Sequence, residues 1–298
     1  MTGFFRGSAT AMITPFYDDG GVNFDAFGDM IERQIAGGTD VLVIIGTTGE
    51  PATMTEEEKD AVMQYAVKKT AKRAKLVFGS GANSTAKAIA ASKKAEAFGA
   101  DGLLVVTPYY NKCTQNGIYE YYKAVHDSVN IPIIAYNVPP RTGVNILPAT
   151  AERLAALPRM AGIKEACGNM EQICETMRRI RGKIDLYSGD DNLNLPMLAI
   201  GAEGLISVVS NLVPAEVKKL YTLVKEGKLA EANELQDRLL PVIDACFMEV
   251  NPIPAKAGAN MLGMQAGKPR APLTEMEEEH KVAMKKILTA FGLEVVHD

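Results

Sequence analysis

The chain has 298 residues, with 32 basic and 36 acidic side chains for a formal net charge of -4, and it is 47% hydrophobic and 23% charged. That composition supports a sizeable folded core and gives no basic stripe of the kind that nucleic acid or an anionic membrane attracts. Three histidines, four cysteines and no tryptophan leave little material for metal sites or for imidazole and thiol catalysis.

Met1–Ser8 lacks a charged head followed by a long apolar run, and the longest apolar stretches, such as Val41–Ile45, are strand-sized, so no membrane span is expected. Cys113, Cys167, Cys174 and Cys246 form no short-spaced framework, which suits free thiols and a cytoplasmic protein. Along the chain, short apolar runs alternate with segments of helical spacing. The predicted strands are Ala9–Thr14, Asp40–Ile45, Lys75–Gly79, Gly102–Thr107, Ile131–Asn137, Ala161–Glu165, Asp185–Ser188 and Gly204–Val209. Helix starts are predicted at Asn23, at the capping box Thr55–Glu58, at Ser84 and at Pro148. Strands apolar at successive positions are expected to be parallel and buried on both faces. Eight such units predict a (β/α)8 TIM barrel over residues 1–228, with an open doubly wound sheet as the alternative. Leu229–Val250, Ala255–Leu262 and Thr274–Leu293 read as helices alone, predicting a small C-terminal α-helical domain over residues 229–298. The runs Glu56–Glu58 and Glu277–Glu279 fit solvated first turns, and His126, His280 and His297 stand where structural histidines are expected.

Catalytic groups of such a barrel come from the C-terminal ends of its strands. The second predicted strand runs into Gly46-Thr47-Thr48-Gly49-Glu50, either a plain glycine-rich turn or a cradle for a carboxylate. The fourth ends in Thr107-Pro108-Tyr109-Tyr110-Asn111 and the fifth in Tyr136-Asn137-Val138-Pro139-Pro140-Arg141-Thr142-Gly143. The sixth contains Lys164 among apolar neighbours. Such a lysine either snorkels to solvent or is desolvated, and desolvation lowers its pKa from ~10.4 and makes it a nucleophile toward ketones. A Schiff-base reaction needs an amine, a proton shuttle and a carboxylate holder, with no metal or cofactor. Lys164, the tyrosines Tyr136 and Tyr110, and the Thr47–Thr48 turn could supply them, a Tyr-Thr-Tyr relay passing the proton onward.

Gly46–Glu50, Tyr136–Gly143 and Gly162-Ile163-Lys164-Glu165, in this order and spacing, closely resemble the dihydrodipicolinate synthase branch of the pyruvate-dependent class I aldolases, over essentially the whole chain. The resemblance implies condensation of pyruvate with L-aspartate 4-semialdehyde, the first committed step of the diaminopimelate route to lysine. It implies that Lys164 forms the Schiff base and that Tyr136 moves protons, linked through Thr47 to a Tyr110 from the neighbouring subunit. Thr47 and Thr48 would hold the pyruvate carboxylate, Arg141 the semialdehyde carboxylate, and Gly189 and the backbone of Ile206 would complete the pocket. A homotetramer, a dimer of dimers, is implied. N-acetylneuraminate lyase relatives typically carry Ser-Thr at this turn and lack the arginine, so that enzyme and 2-keto-3-deoxygluconate aldolase are the alternative activities. A non-catalytic carboxylate-binding barrel and a phosphate-binding barrel, the latter suggested by Gly201 and Gly204, are alternatives from other classes.

Asn83 and Tyr109 match positions of the allosteric lysine pocket found in regulated members of that family. Glu56, Lys59, Lys87 and Pro51 depart from its pattern, and a lysine at position 87 would repel a lysine effector. Weak or absent inhibition by lysine is expected.

Overall fold

The computed structural model describes residues 3–296. Eight strands among the described residues join in sequence order into a closed parallel barrel: β1 Gly7–Ala11, β2 Val41–Ile44, β3 Lys75–Gly79, β4 Gly102–Val106, β5 Ile133–Asn137, β6 Met160–Glu165, β7 Asp185–Ser188 and β8 Gly204–Ser207. The open doubly wound alternative is thereby excluded. Several predicted strands end earlier than their apolar pattern, and β2 shows why. Ile45 has φ 49°, left-handed for a β-branched residue, which no strand can accommodate, so the chain leaves the ladder before Gly46.

The chain groups into two compact units, Met1–Gly7 with Lys75–Ile206 and Ser8–Ala74 with Ser207–Asp298. In the first, β3 to β7 pair in parallel, and β5, β6 and β7 are buried at every position. The helices between them start where the sequence offers a side-chain acceptor: Thr114 receives the N–H of Gly117, and Asn169 that of Gln172. Ser84 precedes the helix Thr85–Ala97 but makes no such bond. Tyr187 on β7 stacks on Phe5 with ring centroids 4.2 Å apart. Gly162 leaves room for that ring, since a Cβ there would lie 2.6 Å from Tyr187 Cε2. His126 is buried in the helix Gln115–Ser128, where its Nε2 accepts the Arg159 N–H at 3.3 Å, a structural role.

In the second unit β1 and β2 pair in parallel, and the helix Phe24–Ala36 begins at Asn23, whose side chain accepts from Ala26. Gln34 of that helix accepts from Thr10 and Thr39 and donates to the Ser210 carbonyl, leaving its buried amide satisfied. The capping box of Thr55 and Glu58 opens the helix Glu56–Thr70 as predicted. The C-terminal stretches form the helices Leu229–Phe247, Ile253–Met261 and Glu278–Phe291. His280 holds Glu249 at 2.7 Å, and the position of His297 lies outside the described residues. No helix among the described residues is long and apolar enough to cross a membrane.

One polar cluster in this unit escapes the periodicity of the sequence. Lys256 and Glu50 form an ion pair at 2.8 Å with side chains 1% and 2% exposed. The ammonium also donates to the Lys268 carbonyl and lies 4.1 Å from the centroid of Phe16. Arg270 donates its backbone N–H to Glu50 at 2.9 Å, covers Phe16 at 4.2 Å, and pairs with Glu58. Glu58 is therefore an ion-pair partner, not the wholly solvated first-turn residue expected from its charge run, and the Arg270 guanidinium holds its carboxyl below the usual range. Removing one member of a buried pair strands the other charge. Lys256→Met is expected to lose about 3–5 kcal/mol in denaturant unfolding, and Glu50→Gln with Lys256→Met to recover most of that loss. A single variant as stable as the parent would contradict the assignment.

Candidate active site

The C-terminal ends of β5, β6 and β7 bring the central predicted residues together. Tyr136 pairs in register with Lys164, and Lys164 with Tyr187. Neighbours in register point to the same face of a parallel sheet, so a cation stands between two tyrosines. Lys164 Nζ lies 4.2 Å from the Tyr136 ring centroid. The lysine is 4% exposed, and among the described residues no carboxylate forms an ion pair with Nζ. Burial lowers its pKa to about 8, partly opposed by the negative charge of Asp191 and reinforced by the positive charge of Arg141. The snorkelling alternative fails because the side chain does not reach solvent.

Gly189, which follows β7, has a steric reason to be glycine. A Cβ at that position would sit 2.7 Å from Lys164 Cε and 2.8 Å from Cγ. Any side chain there displaces the stem of the lysine, so Gly189 sets the amine's position by being small.

Tyr136 is 7% exposed, and burial pushes its phenol up to about 12, with Arg141 acting to lower it and Asp190 and Glu165 to raise it. Arg141 lies in the short helix Pro139–Thr142 directly after β5, where its charge reaches both Lys164 and Tyr136. Ile206 is buried on β8. Tyr110, in contrast, is 90% exposed, with φ 70° in the loop after β4. Tyr109 beside it is 40% exposed, and Asn111 donates to the Asn83 carbonyl at 2.9 Å, joining the loops after β3 and β4.

Thr47 and Thr48 belong to the second unit. They open a single 3-10 turn, Thr47–Gly49, flanked by two residues in the left-handed region, Ile45 and Glu50 at φ 49° and 56°. Left-handed non-glycine residues each cost on the order of 1 kcal/mol and persist where surrounding contacts impose them. Here Thr14 donates to the Gly49 carbonyl at 2.8 Å, and Lys256 and Arg270 secure the Glu50 carboxylate. Thr47 is exposed and Thr48 buried.

Two groups of side chains around Lys164 were missed by the sequence reading. On the opposite face of the sheet from Lys164, Asn137 donates to both oxygens of Glu165, at 2.9 and 3.0 Å, and to Asn145 at 2.8 Å. Glu165 also accepts the Cys167 N–H, and Asn145 exchanges bonds with Gln172. Burial raises the Glu165 carboxyl despite these donors. The chain between Asn137 and Asn145, which carries Arg141, is thus fastened to the residue next to Lys164. The second group is Asp190 and Asp191, where Asp191 is buried and accepts from Asn194 at 3.0 Å. Asn137 and Glu165 stood inside motifs already singled out, but the signal for them was only their adjacency to Tyr136 and Lys164. Among the described residues no cluster of His, Cys, Asp or Glu could hold a metal ion.

Comparison with known proteins identifies the family. The model of the dihydrodipicolinate synthetase family matches residues 4–291. The 4-hydroxy-tetrahydrodipicolinate synthase of Caldicellulosiruptor bescii is 46% identical over 291 residues, covering 98% of each chain. Among solved structures, dihydrodipicolinate synthase from Aquifex aeolicus superposes with a TM-score of 0.96 at 43% identity, covering 98% of this chain and 100% of its own. The chloride-inhibited enzyme from Acinetobacter baumannii complexed with pyruvate gives 0.95 at 37% identity, covering 97% and 99%. A lysine buried on β6 and a family match over nearly the full length lead to one conclusion: the chain belongs to the dihydrodipicolinate synthetase family.

Proposed function

We propose that the chain condenses pyruvate with L-aspartate 4-semialdehyde through a Schiff base on Lys164, the 4-hydroxy-tetrahydrodipicolinate synthase reaction of lysine biosynthesis. The observation that carries this is the state of Lys164: an amine buried with no ion-paired carboxylate among the described residues, its pKa lowered to about 8 by burial. Relative to an ordinary lysine, that shift raises the neutral, nucleophilic fraction near pH 7 by roughly two orders of magnitude. The amine attacks the ketone carbon of pyruvate, water leaves, and loss of a methyl proton gives an enamine that adds to the aldehyde of the second substrate. Tyr136 passes the protons. A phenol with its pKa raised to about 12 is a poor base alone, so it works as one member of a relay through Thr47 to Tyr110 of a second copy.

Thr47 and Thr48 take the pyruvate carboxylate, and Gly189 and the Ile206 backbone also serve substrate binding. Arg141 takes the semialdehyde carboxylate, which its planar fork can bind through two parallel hydrogen bonds. The exposure of Tyr110 supports a role completed across an interface between copies, in keeping with a homotetramer. The chemistry draws on no metal or cofactor, and a cytoplasmic site of action fits the thiols of Cys113, Cys167 and Cys174.

Borohydride added with pyruvate is expected to leave a reduced adduct on Lys164, read by peptide mass, and Lys164→Met to leave none. Retained pyruvate binding without an adduct in the parent chain would favour a carboxylate-binding barrel instead. The trapping rate should climb with pH and level off near pH 8, as the amine loses its proton. Because the Asp191 charge raises the Lys164 pKa and the Arg141 charge lowers it, Asp191→Asn should move that limb to lower pH and Arg141→Met to higher pH, each by about half a unit or more. A limb that stays in place in both variants contradicts the electrostatic account. With Lys87 exposed and Lys59 paired to Glu56, activity should persist at millimolar lysine, and a steep loss at lower concentrations would count against this.

A further inference from the structure

The Thr47–Thr48 turn is fastened by a segment two hundred residues further along the chain. Asn251 Nδ2 donates to Thr48 Oγ1 at 2.9 Å, with Asn251 6% and Thr48 3% exposed. Five residues on, Lys256 grips Glu50, which closes the same turn. The segment Asn251–Lys256 therefore touches the turn at two points, one on each side of Gly49.

A threonine hydroxyl carries one proton and two lone pairs. An amide presents either a donor or an acceptor, and which end faces the hydroxyl decides what the hydroxyl can do next. With the Asn251 amide donating, Thr48 is the acceptor in that bond and keeps its own proton. An acceptor in the same place would take that proton and leave Thr48 with only lone pairs to offer, which repel a carboxylate. We infer that Asn251 is a positioning residue for pyruvate: by donating to Thr48 it commits the threonine proton to the substrate carboxylate. The Lys256–Glu50 pair supports this by fixing the height of the segment against the turn. The inference rests on the proposed role of Thr48 as a carboxylate holder.

Two substitutions separate this role from simple packing. Asn251→Asp keeps the shape but turns the donor into an acceptor, whereas Asn251→Ala removes the donor and frees the hydroxyl to rotate. The pyruvate KM is expected to rise about tenfold in Asn251→Ala and further in Asn251→Asp, with kcat altered less than about threefold and the semialdehyde KM within about twofold. A purely structural asparagine would give the reverse order, because the isosteric change disturbs packing least. Methyl pyruvate, which has no charge for an aspartate to repel, should also be trapped more slowly at Lys164 in Asn251→Asp.

The inference is overturned by a pyruvate KM near the parent value in both variants, by Asn251→Asp being the milder change, by an equal rise in the semialdehyde KM, or by ester trapping at the parent rate. Thr48→Val, run in parallel, tells the two claims apart. If it leaves the pyruvate KM unchanged, the carboxylate role of Thr48 fails and the inference with it. If it raises the KM while the Asn251 variants do not, only the role of Asn251 fails.

Discussion

Burying a lysine with no carboxylate in an ion pair with it among the described residues is the constraint around which the first unit is arranged. An isolated ammonium in an apolar strand is strongly unfavourable, and the protein lowers that penalty by letting the amine lose its proton. Lys164 is tolerated because three conditions hold together. Tyr136 offers the face of its ring, Gly189 withholds a side chain, and the nearest acidic influence, Asp191, raises the pKa without closing an ion pair on Nζ among the described residues. A tight carboxylate partner would have stabilised the fold and silenced the amine. The second unit treats its own buried lysine in the opposite way: Lys256, its side chain 1% exposed, is given Glu50 at 2.8 Å and a backbone carbonyl. The same side chain serves as nucleophile in one place and as structural pin in the other, and the presence of a partner carboxylate decides which.

The barrel was legible from the chain because parallel strands buried on both faces leave an apolar signature, as β2 and β4 do, and β3 and β7 have the bounds expected of them. Lys164 was legible for the complementary reason, as a charge interrupting such a run. Strand ends were less so, since Ile45 looks like strand by composition and is turned out of it by a left-handed φ. The steric duty of Gly189 could not be read at all, because it depends on a side chain 25 positions earlier that reaches it only after β6 and β7 pair.

Long-range polar pairs form the remaining gap. Glu58 satisfies a capping box by local pattern, and nothing local to it announces that Arg270, 212 residues away, pairs with it. Lys256 likewise lay in a stretch read only as helical and Asn251 between two such stretches, yet they meet Glu50 and Thr48 across separations of 206 and 203 residues. Local periodicity reports which face of an element is apolar. It carries no information on which distant polar group will be satisfied by which.

The Asn137–Glu165 contact has a bearing on how this scaffold could change over time. The carboxylate of Glu165, the strand residue next to the reactive amine, holds Asn137 at the base of the loop that carries Arg141. Altering the loop to suit a different aldehyde would pull on the same anchor that keeps the nucleophile in place. Diversification should therefore proceed by exchanging side chains on a loop of constant length between Asn137 and Asn145, with insertions there held back by their effect on a reaction step in which the second substrate takes no part.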